Sequence, residues 1–118
     1  MSDVVPKNGE FLGGKLWFQR KGSILTVGLT SAAVDEVGSV QSIDFPVEGE
    51  DFDKGEVVVA LDGSNRKFEV TTPASGTVQE INVAALEEPE MISEDPLEEG
   101  WLVKLEIADD SDLREFAQ

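Results

Sequence analysis

The stretch Gly55-Glu-Val-Val-Val-Ala-Leu-Asp-Gly-Ser-Asn-Arg-Lys-Phe-Glu-Val-Thr-Thr-Pro73 decides the fold. Two β-rich runs, Val57 to Leu61 and Phe68 to Thr72, flank the polar loop Asp62 to Lys67. Branched apolar runs broken by Asp-Gly and Asn are a hairpin signal. The runs are equal in length, which puts the tip between Ser64 and Asn65. Val57 to Leu61 is apolar on both faces and reads as an interior strand.

Working outward, Leu16 to Arg20 and Ile24 to Val27 read as a strand pair around Lys21-Gly22-Ser23. Thr30 to Gly38 reads as a short helix, with Thr30 or Ser31 at its start and Gly38 as its left-handed stop. Val40 to Phe45 follows as a strand, and Pro46 to Lys54 as an acidic loop. Beyond the hairpin, Thr77 to Ile81 is another strand. Asn82 to Pro96 is limited to short helical turns by Pro89 and Pro96. Trp101 to Ile107 alternates as a strand does, and Trp17 and Trp101 read as buried strand residues. Asp110 to Ala117 has a capping-box spacing between Asp112 and Glu115, which predicts a C-terminal helix.

Gly38-Ser-Val-Gln-Ser-Ile43 recurs as Gly76-Thr-Val-Gln-Glu-Ile81. Strands on both sides of a central hairpin, with this short repeat, predict two similar halves folded together. The expectation is a mainly β, flattened antiparallel sandwich or barrel with helices at its edge. Residues 1–14 read as a flexible lead-in and 15–118 as a single domain, in keeping with a length of 118 residues.

Composition narrows the chemistry. The chain has no cysteine and no histidine. That excludes disulfides, thiolate nucleophiles, Cys-ligated zinc and every Ser-His triad. With 25 acidic residues against 9 basic ones, the formal net charge is −16. Such a surface repels nucleic acid and anionic lipid, so neither is expected as a partner. The acidic segment Glu87 to Glu99 reads as a solvated face or as a dock for a basic partner. Asp51 with Asp53, and Asp109 with Asp110 and Asp112, lack calcium-loop spacing, so no metal is expected. No apolar run approaches membrane-spanning length and no export signal opens the chain, which points to the cytoplasm.

Several stretches resemble one family, the H protein of the glycine cleavage system. Thr26 to Val40 resembles its strand, helix and glycine stop; Gly55-Glu-Val-Val resembles the strand leading to its modified hairpin; Pro73-Ala-Ser-Gly-Thr-Val78 resembles the turn after it. Leu86, Pro89-Glu-Met-Ile92, Glu94-Asp-Pro96 and Gly100-Trp-Leu-Val103 occur in the family's order and spacing. The resemblance covers roughly residues 16 to 117. It implies a barrel-sandwich hybrid with lipoate amide-linked to a hairpin lysine. It also implies a carrier without its own catalytic site, working between glycine decarboxylase, aminomethyltransferase and dihydrolipoamide dehydrogenase.

One residue departs from that pattern. Counting from Gly55 and back from Pro73 gives one register without a gap, and Asn65 stands where the family has its lysine. An amide nitrogen is not nucleophilic, because its lone pair is delocalised into the carbonyl. Lys67 lies two residues on, on the same nominal strand face but displaced by about 7 Å. No methionine flanks the tip, as a biotin hairpin would require. Two readings follow. The first is a relative not lipoylated at the tip, with no cofactor, that binds a glycine-cleavage or lipoate-handling enzyme and presents Ser64 and Asn65. The second is a working carrier with lipoate on Lys67. An enzyme built from clustered carboxylates has no motif to support it.

Overall fold

The computed structural model describes residues 8–11, 14–95 and 100–107. Its elements run β1 (Asn8–Phe11), β2 (Leu16–Lys21), β3 (Ile24–Leu29), α1 (Ser31–Val37), β4 (Val40–Asp44), β5 (Asp51–Phe52), β6 (Val57–Gly63), β7 (Lys67–Thr71), β8 (Gly76–Ile81), α2 (Val83–Glu87), α3 (Glu90–Glu94) and β9 (Val103–Glu106). They form a six-stranded sheet, ordered β1-β2-β3-β9-β8-β5, and a three-stranded sheet, ordered β4-β6-β7. Every pairing is antiparallel. Among the described residues the sheets do not close on each other, so the molecule is a sandwich and not a closed barrel.

Strand alternation builds the core. Leu16 and Phe18 of β2 turn inward, as do Leu25, Val27 and Leu29 of β3 and Val103 and Leu105 of β9. Val59, Leu61 and Val70 face them from the smaller sheet, and Ala33 and Val37 of α1 join the same cluster. Each fully buried Leu, Val or Phe contributes about 1.5–3 kcal/mol by leaving water. The interior position expected for Val57 to Leu61 holds, since β6 lies between β4 and β7. Its first residue, Val57, is exposed beside a register shift in the β6–β7 pairing.

Three local expectations change. Asn8–Phe11, placed in a lead-in, pairs with Leu16 to Gln19 of β2. The acidic loop contains β5, where Asp51 and Phe52 pair with Thr77 and Gly76. The Thr77 hydroxyl donates to the Asp51 carboxylate at 2.6 Å. Neither segment has the alternating apolar run that marks a strand in sequence, so only pairing reveals them. Trp17 and Trp101 are half-buried, not buried. Trp17 lies across Gly28, where a Cβ would come within 2.6 Å of its ring, and the Trp101 ring sits 4.8 Å from the Lys104 ammonium. The expected C-terminal helix lies outside the described residues.

The repeated hexapeptides separate. Gly38–Ile43 leads into β4 of the small sheet, whereas Gly76–Ile81 forms β8 of the large one.

Candidate functional site

The β6–β7 hairpin pairs Leu61 with Phe68 and Asp62 with Lys67. Gly63 then donates its N–H to the Arg66 carbonyl at 3.1 Å, closing a four-residue tip, Gly63 to Arg66. The midpoint falls between Ser64 and Asn65, where the sequence pattern puts it. Alternation from this register puts Asp62, Lys67 and Glu69 on the outer face, with Ser42 and Asp44 of β4 beside them.

The tip does not stand free of the body. It is folded onto the C-terminal end of α1. A helix leaves its last carbonyls without intrahelical donors, and here the hairpin supplies one. The Asn65 N–H donates to the Val37 carbonyl at 2.9 Å, and the Ser64 N–H donates to the Ser39 carbonyl at 2.9 Å. In return, the Ser39 N–H donates to the Ser64 hydroxyl oxygen at 3.0 Å. On the far side of the same segment, the Ser93 hydroxyl donates to the Gly38 carbonyl at 3.3 Å and accepts from the Val40 N–H at 3.0 Å. Residues 37–40 therefore join the hairpin tip to α3.

Gly38 makes this close approach feasible. Its φ of 85° and ψ of −153° lie in a region open essentially to glycine alone. A Cβ there would strike the Ser64 hydroxyl and come within 2.9 Å of the Asn65 amide nitrogen. Thr30 caps the other end of the helix, its side chain accepting from the Ala33 N–H. The helix stop predicted at Gly38 is thus also the seat for the tip.

An ion triad adds a side-chain tie. Glu36 of α1 pairs with Lys15, and its other carboxylate oxygen accepts from the Arg66 guanidinium at 2.9 Å. The hydrogen bond from Lys15 holds the Glu36 carboxyl below its usual pKa; partial burial opposes this, and the Lys15 and Arg66 charges add to it.

Ser64, Asn65, Arg66 and Lys67 are all exposed. Lys67 makes no hydrogen bond or ion pair to any described residue, and it borders a groove of about 760 Å³ along the outer sheet face. That groove also takes in Glu36, Asp44, Asp62 and Glu69, with Ala60 between the flanking carboxylates. The four tip residues do not fit an amide-linked lipoate. None offers a side-chain amine: the Asn65 nitrogen is conjugated, and Arg66 carries a guanidinium already paired with Glu36. Lys67 has the amine, but it opens β7 opposite Asp62 and lies outside the tip.

Counting in sequence gives Ser64 and Asn65 their place at the hairpin tip and Lys67 its place two residues on. It misses Glu36 and Ser39, and gives Gly38 only half its role. Contact across 25 residues, as between Ser39 and Ser64, leaves no local pattern to read.

A β-sandwich that holds one hairpin against its body, with the tip's side chains in solvent, has the build of a presenting domain. Comparison with known proteins gives that class a family. The model of the glycine cleavage H-protein family matches residues 10–118. The glycine cleavage system H protein of Cyanothece sp. is 36% identical over 113 residues, covering 96% of this chain and 88% of the relative. That of Thermotoga maritima is 37% identical over 100 residues, covering 85% and 81%. The crystal structure of an H protein from Mycobacterium marinum superimposes with a TM-score of 0.78 at 27% identity, covering 86% of this chain and 84% of that one. The chain belongs to the glycine cleavage H-protein family, a family of carrier-type proteins and not of enzymes.

Proposed function

We propose that this chain serves glycine cleavage as a binding or regulatory relative of the H protein, without lipoate on its hairpin. The observation that carries the reading is Asn65. On the count from both Gly55 and Pro73 it takes the register that the family resemblance gives to the lysine, and it is one of the two residues flanking the midpoint of the tip. A carboxamide there forms no lipoyl amide, so the aminomethyl and electron cargo of a carrier has no attachment point. The rest of the platform remains built. Two backbone hydrogen bonds, the Ser64 hydroxyl and the Arg66–Glu36 pair fix the tip in one orientation. A pinned loop loses little conformational entropy when a partner covers it, which favours recognition of its surface.

The partners of this reading are the enzymes that handle an H protein: glycine decarboxylase, aminomethyltransferase, dihydrolipoamide dehydrogenase, or an enzyme that attaches lipoate. The setting is the cytoplasm. A competing reading keeps the carrier role and moves lipoate to Lys67, which is exposed and unpaired among the described residues.

Intact-mass spectrometry separates the two. The protein is incubated with lipoate, ATP and an active lipoate ligase, with a lysine-bearing H protein modified in parallel. The expected result is an unshifted mass beside a fully shifted control. Addition of one lipoyl group, lost in Lys67→Ala, would replace this reading with the carrier one.

A further inference from the structure

Helix α2 leaves an apolar pair exposed. Its Ala85 is buried and its capping residue Asn82 is nearly so, so that side of the helix is fixed to the body. Val83 and Leu86, three residues apart and therefore neighbours on one helix face, are 55% and 50% exposed. Acidic residues follow the pair along the chain. Glu87 follows Leu86 on the helix, and Glu88, Glu90 and Glu94 continue along a groove of about 740 Å³ that runs to Gln41 and Ser39. Ser39 is the residue that exchanges hydrogen bonds with Ser64, so the groove ends at the hairpin tip.

We propose that the α2 face and this groove form one docking surface for a protein segment whose apolar side chains are flanked by lysine or arginine. The inference rests on the binding role above and adds where the partner sits and what chemistry it brings. Charge selects the occupant. A second copy of this chain would bring another acidic segment and another net charge of −16 against the first. An anionic membrane or a nucleic acid is repelled for the same reason. A basic segment gains from the long-range field during approach and from the acidic residues at contact, while Val83 and Leu86 supply the area that leaves water. Because the groove reaches Ser39, a partner seated there also lies against Ser64 and Asn65, and reads the tip without any modification on it.

The test titrates the wild-type chain separately with purified glycine decarboxylase, aminomethyltransferase, dihydrolipoamide dehydrogenase and lipoate ligase from the same organism, by calorimetry at low and high salt. Three variants accompany it: V83A/L86A, E87Q/E88Q/E90Q, and Val47→Ala, which removes a more exposed apolar side chain from residues 45–50. All sites are on the surface, and thermal melts check that each variant is folded. One enzyme should bind the wild type, more weakly as salt rises. V83A/L86A should weaken that binding at least tenfold. The triple glutamine variant should weaken it at low salt and flatten the salt dependence, while Val47→Ala stays within twofold. Binding that ignores both α2 variants, or that is insensitive to salt, overturns the docking surface and leaves the binding role standing. No binding to any of the four enzymes overturns both.

Discussion

Gly38–Ile43 and Gly76–Ile81 share a pattern, Gly-x-Val-Gln-x-Ile, and meet opposite demands. Gly38 ends a helix at a positive φ, and its bare Cα faces the side chains of Ser64 and Asn65. Gly76 opens β8 without a positive φ, and is held where a Cβ would come within 2.7 Å of the Glu106 carbonyl of β9. One glycine is required by its backbone conformation and by the hairpin tip, the other by the spacing of two strands. The apolar residues that follow are used alike, Val40 and Val78 both being buried. A shared strand pattern therefore specifies inward and outward faces, while the neighbour brought by tertiary structure specifies what its first glycine does. That difference assigns the tip's fixed position to Gly38 and the large sheet's integrity to Gly76.

Substitution of the two glycines should separate these roles. Gly38→Ala places a side chain in a glycine-only region and is expected to cost about 1–3 kcal/mol, at the upper end because the tip is displaced as well. Its signature in hydrogen exchange is loss of protection at the Ser64 and Asn65 amides. Gly76→Ala is expected to cost about 1–3 kcal/mol by overpacking against backbone, toward the middle of that range. Here the β8–β9 amides lose protection and the tip amides keep theirs. Equal effects on the tip from both would dissolve the distinction.

A smaller and pH-dependent effect belongs to the Glu36 triad. Its pairing with Lys15 and Arg66 lowers the carboxyl pKa, so the folded state gains from ionisation. The contribution is complete above the ordinary glutamate value of ~4.5 and is lost as pH falls through the lowered folded value. Glu36→Gln should therefore melt below the wild type near neutral pH, and the gap between the two curves should close in acid. A gap that stays constant from pH 7 to pH 3 would mean that the ion pairs hold nothing. The smallest change in stability is expected from Asn65→Lys, an exposed site, within about 0.5 kcal/mol of wild type.

Most of the fold was legible because it rests on local signals. The hairpin around Asp62 to Lys67, the Thr30 cap and the Gly38 stop are each written in adjacent residues. Alternation in Leu16 to Phe18 and Leu25 to Leu29 gives the inward faces. What stayed hidden depends on distant partners: β1 is a strand because β2 offers it an edge, and β5 because β8 does. The site divides in the same way. Asn65 and Lys67 could be placed by counting, since hairpin register is local. The seat formed by Val37, Gly38 and Ser39 could not, because the backbone groups that bind the tip carry no side-chain signature. The α2 surface was readable only as acidic; its exposed Val83 and Leu86 resemble core residues until burial distinguishes them from Ala85.

The most direct measurement treats wild type and Asn65→Lys together in one lipoylation reaction, then maps the product by peptide mass spectrometry across residues 56–75. The account predicts one lipoyl group on residue 65 of the variant and none anywhere on the wild type. Lipoate on Lys67 of the wild type, or an Asn65→Lys chain that stays unmodified while a control H protein is lipoylated, would contradict it.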